Sequence, residues 1–160
     1  MLHHQLLVQS DGDNRLEVGR FSLVVSTMVE NVRMTKILMD GGSGINILCK
    51  DALEKLSIDA SKLRASQSPF HGIVLGRRVM TLGTIVLSVT FGNRVHYRKE
   101  TLSFEVVDFE GPYHALLGKP CYAKFMAIPN NVYLMLKMTG QRSHSNHANR
   151  TMVVPNISWW

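Results

Sequence analysis

The sequence predicts a single all-β domain carrying one or two short helices, and three observations predict it. Gly, Val, Leu, Ile and Thr are spread through the middle of the chain, a composition suited to turn-rich sheet. β-prone runs recur there, separated by turn signals such as Glu30-Asn31 and Gly92-Asn93. With 160 residues, 45% of them hydrophobic, the chain can bury one core but is short for two ordinary domains.

Residues 1–19 are polar, contain Asp11-Gly12-Asp13-Asn14 and sustain no period, so a flexible leader is expected. From Arg20, the runs Phe21 to Val25 and Val32 to Met39 flank Glu30-Asn31 and read as a hairpin aimed at Asp40. Beyond Asp40-Gly41-Gly42-Ser43-Gly44, residues Ile47, Leu48, Ala52, Leu53 and Leu56 fall near helical spacing, predicting a short amphipathic helix over Asn46 to Leu56. Pro69, Gly72, Gly76 and Gly83 mark Ser66 to Gly83 as turns and a mobile hairpin able to cover a cleft. Thr84 to Phe91 and Glu100 to Val107 predict a second hairpin around Gly92-Asn93. Ala115-Leu116-Leu117 reads as a short strand, Pro120 to Phe125 as a helical turn and Val132 to Met138 as a last strand. From Gln141 the pattern stops, and 141–160 is expected to be a disordered tail whose deletion leaves the fold intact. No repeat of solenoid or propeller period is present.

Several function classes lose support on composition. The net charge of +6 is scattered along the chain and forms no basic stretch or face, which argues against nucleic-acid binding. The longest apolar runs fall far short of the roughly 20 residues of a spanning helix. Cys49 and Cys121 do not make a disulfide framework and no signal peptide is visible, so an intracellular, cytoplasmic protein is expected. His3-His4 and His144 with His147 match no closed zinc site, and neither a metal nor a cofactor is expected. Asn149-Arg150-Thr151 and Asn156-Ile157-Ser158 match glycosylation acceptors by chance in a chain with no secretory signal.

Asp40 is the candidate catalytic residue. A carboxylate that follows an apolar strand and precedes glycines is delivered to the end of a sheet, with neighbouring N–H groups able to point at it. Gly41, Gly42 and Ser43 would support that loop, and the Ser43 hydroxyl is placed to hydrogen-bond the carboxylate. The competing structural role is an Asp that only caps the helix expected to begin near Asn46.

The run Ile37-Leu38-Met39-Asp40-Gly41-Gly42-Ser43 through Asn46-Ile47-Leu48 resembles the active-site segment of plant gypsy-type retrotransposon aspartic proteases, a retropepsin family. The resemblance continues, in order, through the blocks beginning at Pro69, Leu82, Val89, Phe104, Tyr113 and Lys124, covering roughly Arg20 to Gly140. It implies a closed acid-protease barrel over 20–140, one lobe that pairs as a homodimer. Asp40 would lie beside a partner loop formed by Leu116, Leu117 and Gly118, with His71, Gly72, Ile73 and Val74 in a flap over a bound peptide. Catalysis in such proteins takes two carboxylates sharing one proton. Asp11, Asp51, Asp59 and Asp108 lack the strand-Asp-Gly-Gly setting, so the resemblance implies that a second copy of Asp40 completes the dyad, with the element's own polyprotein as substrate.

The chain departs from the family pattern in two places. Gly41 stands where most retropepsins have Thr or Ser, and likeness ends after Gly140. These departures define the alternative: a catalytically decayed remnant acting at most as a dimerisation or interaction module.

Overall fold

The computed structural model describes residues 5–6, 23–66, 71–74, 77–130, 132–142 and 150–156. Its strands are β1 (Gln5–Leu6), β2 (Leu23–Val29), β3 (Val32–Met39), β4 (Ile47–Cys49), β5 (His71–Val74), β6 (Arg77–Gly92), β7 (His96–Val107), β8 (Ala115–Leu117), β9 (Ile128–Asn130), β10 (Met135–Arg142) and β11 (Arg150–Pro155). Two short helices, α1 (Lys50–Lys55) and α2 (Lys119–Phe125), and a 3₁₀ turn at Ala60–Lys62 complete the chain.

Six strands close on themselves in the order β6, β2, β3, β8, β4, β7 and back to β6. Closure leaves no free edge within the ring, so its backbone donors and acceptors meet one another. Two of its contacts, β3 with β8 and β4 with β7, are parallel; the others are antiparallel. Both expected hairpins are present: β2 turns into β3 at Glu30-Asn31, and β6 pairs with β7 from Thr81 to Gly92.

The main core packs Val25, Val29, Met34, Ile37, Leu48, Val89, Phe91 and Phe104 with helix α2. Phe125 of α2 meets Phe91 edge-on at 4.9 Å between ring centres, a favoured aromatic geometry. A second cluster, including Val24, Leu38, Ile47, Cys49, Val107 and Leu116, lies against the other face of the central strands. Strands β3, β4 and β8 are thus apolar on both sides, which makes the ground on which Asp40 stands rigid.

That two-sided burial corrects one expectation. Ile47-Leu48-Cys49 is a strand, and the helix begins only at Lys50. A short continuous apolar run fits a doubly buried strand as well as a helix, and here β7 and β8 on either side decide it. The last predicted strand likewise starts later, at Met135, because Asn130 Oδ1 accepts the backbone N–H groups of Val132 and Tyr133 and holds a turn there.

The expected tail is corrected too. Arg150–Pro155 pairs antiparallel with β10 over six residues, from Met135↔Pro155 to Gly140↔Arg150. Met152 (5% exposed) and Val154 (6% exposed) enter the main core beside Leu136 and Met138. Asn156 then accepts the Val24 N–H through Oδ1 at 3.0 Å, tying the chain's end to β2. The signal was faint because only two residues point inward after the polar stretch of 143–149. In the leader, Gln5–Leu6 pairs in parallel with Ile73 and Val74, so this part of 1–19 is not free chain. Most of the leader, residues 67–70, 75–76 and 143–149, and Trp159-Trp160 lie outside the described residues.

Cys49 and Cys121 are both buried free thiols. Burial, and for Cys49 then the Asp51 charge, pushes each from 9.0 up to about 12. The neutral thiol is thus favoured in the fold, so the unfolded chain loses these protons first as pH rises. Stability is expected to be intact below pH 9 and to fall between 9 and 12, at up to about 1.4 kcal/mol per pH unit for each thiol. Urea melts at pH 8 and 10 check this; Cys121→Ala should flatten the decline.

Candidate active site

Asp40 is the first residue after β3, and its N–H donates to the Leu117 carbonyl at 2.9 Å. This bond extends the parallel ladder Ile37↔Ala115, Leu38↔Leu116, Met39↔Leu117 by one step. The candidate carboxylate therefore stands beside Leu116-Leu117-Gly118, at the mouth of two strands whose flanks are buried. Asp40 itself is half-buried, and Gly41 and Gly42 are exposed.

The Asp40 carboxylate is held from the backbone: Gly42 N–H donates to Oδ1 at 2.9 Å, while Ser43 N–H donates to the Asp40 carbonyl at 3.2 Å. Ser43 does not play the part expected of it. Its hydroxyl is turned inward, donating to the Ile45 carbonyl at 2.8 Å, and the side chain is fully buried. The Ser43 carbonyl accepts Lys119 N–H at 2.7 Å, so this residue knits the Asp40 loop to the start of α2.

Gly118 is pressed into that junction. A β-carbon there would come within 2.4 Å of the Ile45 carbonyl oxygen and 2.5 Å of that of Ser43, both backbone atoms, so only glycine fits. Asn46 supplies the remaining link. It is 2% exposed, accepts Gly118 N–H at 2.9 Å through Oδ1 and donates to the Ser103 carbonyl at 3.2 Å through Nδ2. One amide thus joins the loop after β3, the loop after β8 and strand β7. Asn46→Ala would leave a buried N–H and a carbonyl without this partner, and is expected to cost about 1–3 kcal/mol for each. Denaturant melts measure that cost.

Tyr122 of α2 forms the floor under the glycines. A side chain added at Gly41 would meet the ring at Cε2, 3.8 Å away. Burial first, then the neighbouring Cys121 and Asp40 charges, pushes the phenol up to about 12, so it stays a neutral donor across the working pH range.

The capping role for Asp40 is removed by the geometry: α1 has Cys49 at its N-cap and no side-chain cap. The other described aspartates are engaged elsewhere. Asp51 bonds Ala52 N–H, Asp59 caps the 3₁₀ turn through Ser61 N–H, and Asp108 is exposed at 4.0 Å from Lys50. Asp11 lies outside the described residues. Among the described residues no cluster of His, Cys, Asp or Glu could hold a metal ion, and no helix is long and apolar enough to cross a membrane. His71, Gly72, Ile73 and Val74 form β5, paired with β6 from His71↔Met80 to Val74↔Arg77.

Neither a family model nor a curated protein matches this sequence. Among solved structures, the retroviral protease-like domain of Ddi1 from Leishmania major aligns with 85% of this chain and 94% of its own, at TM-score 0.58 and 15% identity. The fold is retropepsin-like. A retropepsin-like aspartic protease from Rickettsia conorii aligns with 68% of this chain and 76% of its own, at TM-score 0.47 and 21% identity.

Within this retropepsin-like fold, sequence reasoning did not single out Asn46 or Tyr122. Asn46 carried a readable signal, a polar residue directly before an apolar run. Tyr122 carried none, since its nearness to Gly41 depends on how α2 docks.

Proposed function

We propose that this chain is an aspartic endopeptidase domain of a plant gypsy-type retrotransposon polyprotein, working as a homodimer with one Asp40 from each copy. The observation that carries the reading is the setting of Asp40: a half-buried carboxylate oriented by Gly42 N–H and locked to the Leu117 loop through its own backbone. In that dimer one Asp40 is ionised and takes a proton from water as the water attacks the peptide carbonyl. The other is protonated and gives its proton to the carbonyl oxygen. Collapse of the tetrahedral diol breaks the C–N bond: the Asp40 that took the water proton gives it to the leaving nitrogen, and the other, now ionised, takes a proton from a diol hydroxyl. Hairpin β5–β6 serves as the flap over an extended peptide, excluding water from the reacting bond.

A second reading, a decayed remnant that only dimerises or binds a partner, draws on Gly41, which puts no hydroxyl beside Asp40, and on the inward turn of Ser43. Purified protein, sized in solution and incubated with a generic peptide library at mildly acid pH with and without pepstatin, separates the two. Pepstatin-sensitive cleavage by a dimer supports the peptidase. A dimer that never cuts supports the remnant.

A further inference from the structure

Strand β6 serves two structures at once. Its first residues pair with β5 in a hairpin, and from Thr81 onward it pairs with β7 in the barrel. The change of partner coincides with an irregularity between Thr81 and Gly83. Gly83 sits there at φ +144°, where a β-carbon would come within 2.6 Å of the Arg64 carbonyl oxygen. The segment leading to β5 is pinned at the same level, since Arg64 and Thr84 exchange both backbone hydrogen bonds, at 2.9 and 2.8 Å.

Glu105, on β7 opposite Thr84, faces this junction. Its two carboxylate oxygens accept from two different segments: Ser66 Oγ donates to Oε1 at 3.1 Å, and Thr81 Oγ donates to Oε2 at 2.7 Å. Ser66 lies on the approach to β5, and Thr81 lies where β6 leaves the hairpin. Thr81 oxygen in turn accepts Gly83 N–H at 3.2 Å, so the hydroxyl couples the bulge to the carboxylate. A hydroxyl has one proton, and the short contact to Oε2 claims it.

We infer that Glu105 is a positioning residue: its carboxylate clasps both stems of the β5–β6 hairpin and sets the direction in which that hairpin leaves the barrel. Glu105 makes no ion pair among the described residues, although Lys62 and Arg64 line the same cleft of about 650 Å³. Two hydroxyls on opposite stems converging on one side chain act as a pin across the base of the β5–β6 hairpin, to whose outer edge β1 adds only Gln5 and Leu6. Such a hairpin is only marginally ordered by its own hydrogen bonds.

The geometric claim stands without the peptidase reading; its catalytic consequence, a hairpin held at the correct height over the substrate, rests on it. Amide hydrogen exchange on the full chain tests the first. Glu105→Gln, which keeps the shape but removes the charge and one acceptor, should raise exchange in 71–82 roughly tenfold, the scale of one charge-assisted hydrogen bond. Exchange in the β2–β3 hairpin should stay as in the wild type. Thr81→Val, which leaves the carboxylate in place, should give the same local pattern, and Thr81→Ser, which restores the hydroxyl, should reverse it. Unchanged exchange in 71–82, or equal acceleration in β2–β3, overturns the inference. With peptide substrate, Glu105→Gln should raise KM by more than it lowers kcat; an equal loss confined to kcat also overturns it. A wild type that cuts no peptide counts against the peptidase alone, because the exchange pattern still reads the clasp.

Discussion

Asp40→Asn is expected to lower peptide cleavage by at least about 10²–10⁴-fold, the contribution of one positioned acid or base, while leaving the barrel folded. Asn keeps the size of the side chain and an oxygen able to accept Gly42 N–H, so the loop retains that backbone-to-side-chain bond. What is lost is the ability to hold or release a proton. In the proposed homodimer the two Asp40 side chains come from identical copies, so the substitution would remove both acid and base. Activity of the wild type should peak below neutral pH, where the pair holds one proton between its two carboxyl groups. Well below the dimer dissociation constant the rate should rise with roughly the square of protein concentration. Initial rates across a dilution series, with circular dichroism of both proteins, check each point. Wild-type rates in the Asn variant would remove Asp40 from the mechanism.

Removing residues 150–160 should destabilise the domain severely, reversing the expectation drawn from the polar character of the tail. Met152 and Val154 lie in the main core, and burying each contributes about 1.5–3 kcal/mol. Their loss also uncovers Leu136 and Met138, which pair with them across the ladder, and frees the N–H of Val24 from Asn156. Against a total stability of about 5–15 kcal/mol, a loss near 3–6 kcal/mol should lower Tm by roughly 10 °C or more. Differential scanning calorimetry on the truncated and full chains gives the answer. The double change Met152→Ala with Val154→Ala should reproduce much of the loss without shortening the chain; a Tm equal to that of the full chain would mean β11 is not docked.

Much of this architecture was legible in the amino-acid order because it rests on local rules. Alternation and turn residues place the β2–β3 and β6–β7 hairpins, and both occur where the pattern puts them. The delivery of Asp40 to a strand end before glycines was legible for the same reason. Ile47-Leu48-Cys49 was not, since an apolar triplet has no period of its own and its strand form comes from neighbours distant in the chain. The two inward residues of β11 are likewise too few to announce a strand until β10 supplies the surface they cover.

The sequence by itself determined a β-dominated domain, its two main hairpins and the position of one carboxylate in a turn of glycines, all consequences of contacts between near neighbours. Folding brings together the groups that brace the loop of that carboxylate and the base of the β5–β6 hairpin. Gly42 rather than Ser43 bonds Asp40, Asn46 ties its loop to Gly118, and Glu105 joins Ser66 to Thr81. The Asp40–Gly42 bond is local, Thr81 and Glu105 meet when β6 pairs with β7, and Asn46 and Gly118 meet only when β4 lies against β8. The Ser43 hydroxyl has a near neighbour as acceptor, the Ile45 carbonyl, but its inward turn goes with the packing of that loop against Gly118 and Lys119, a contact that the order of residues does not record.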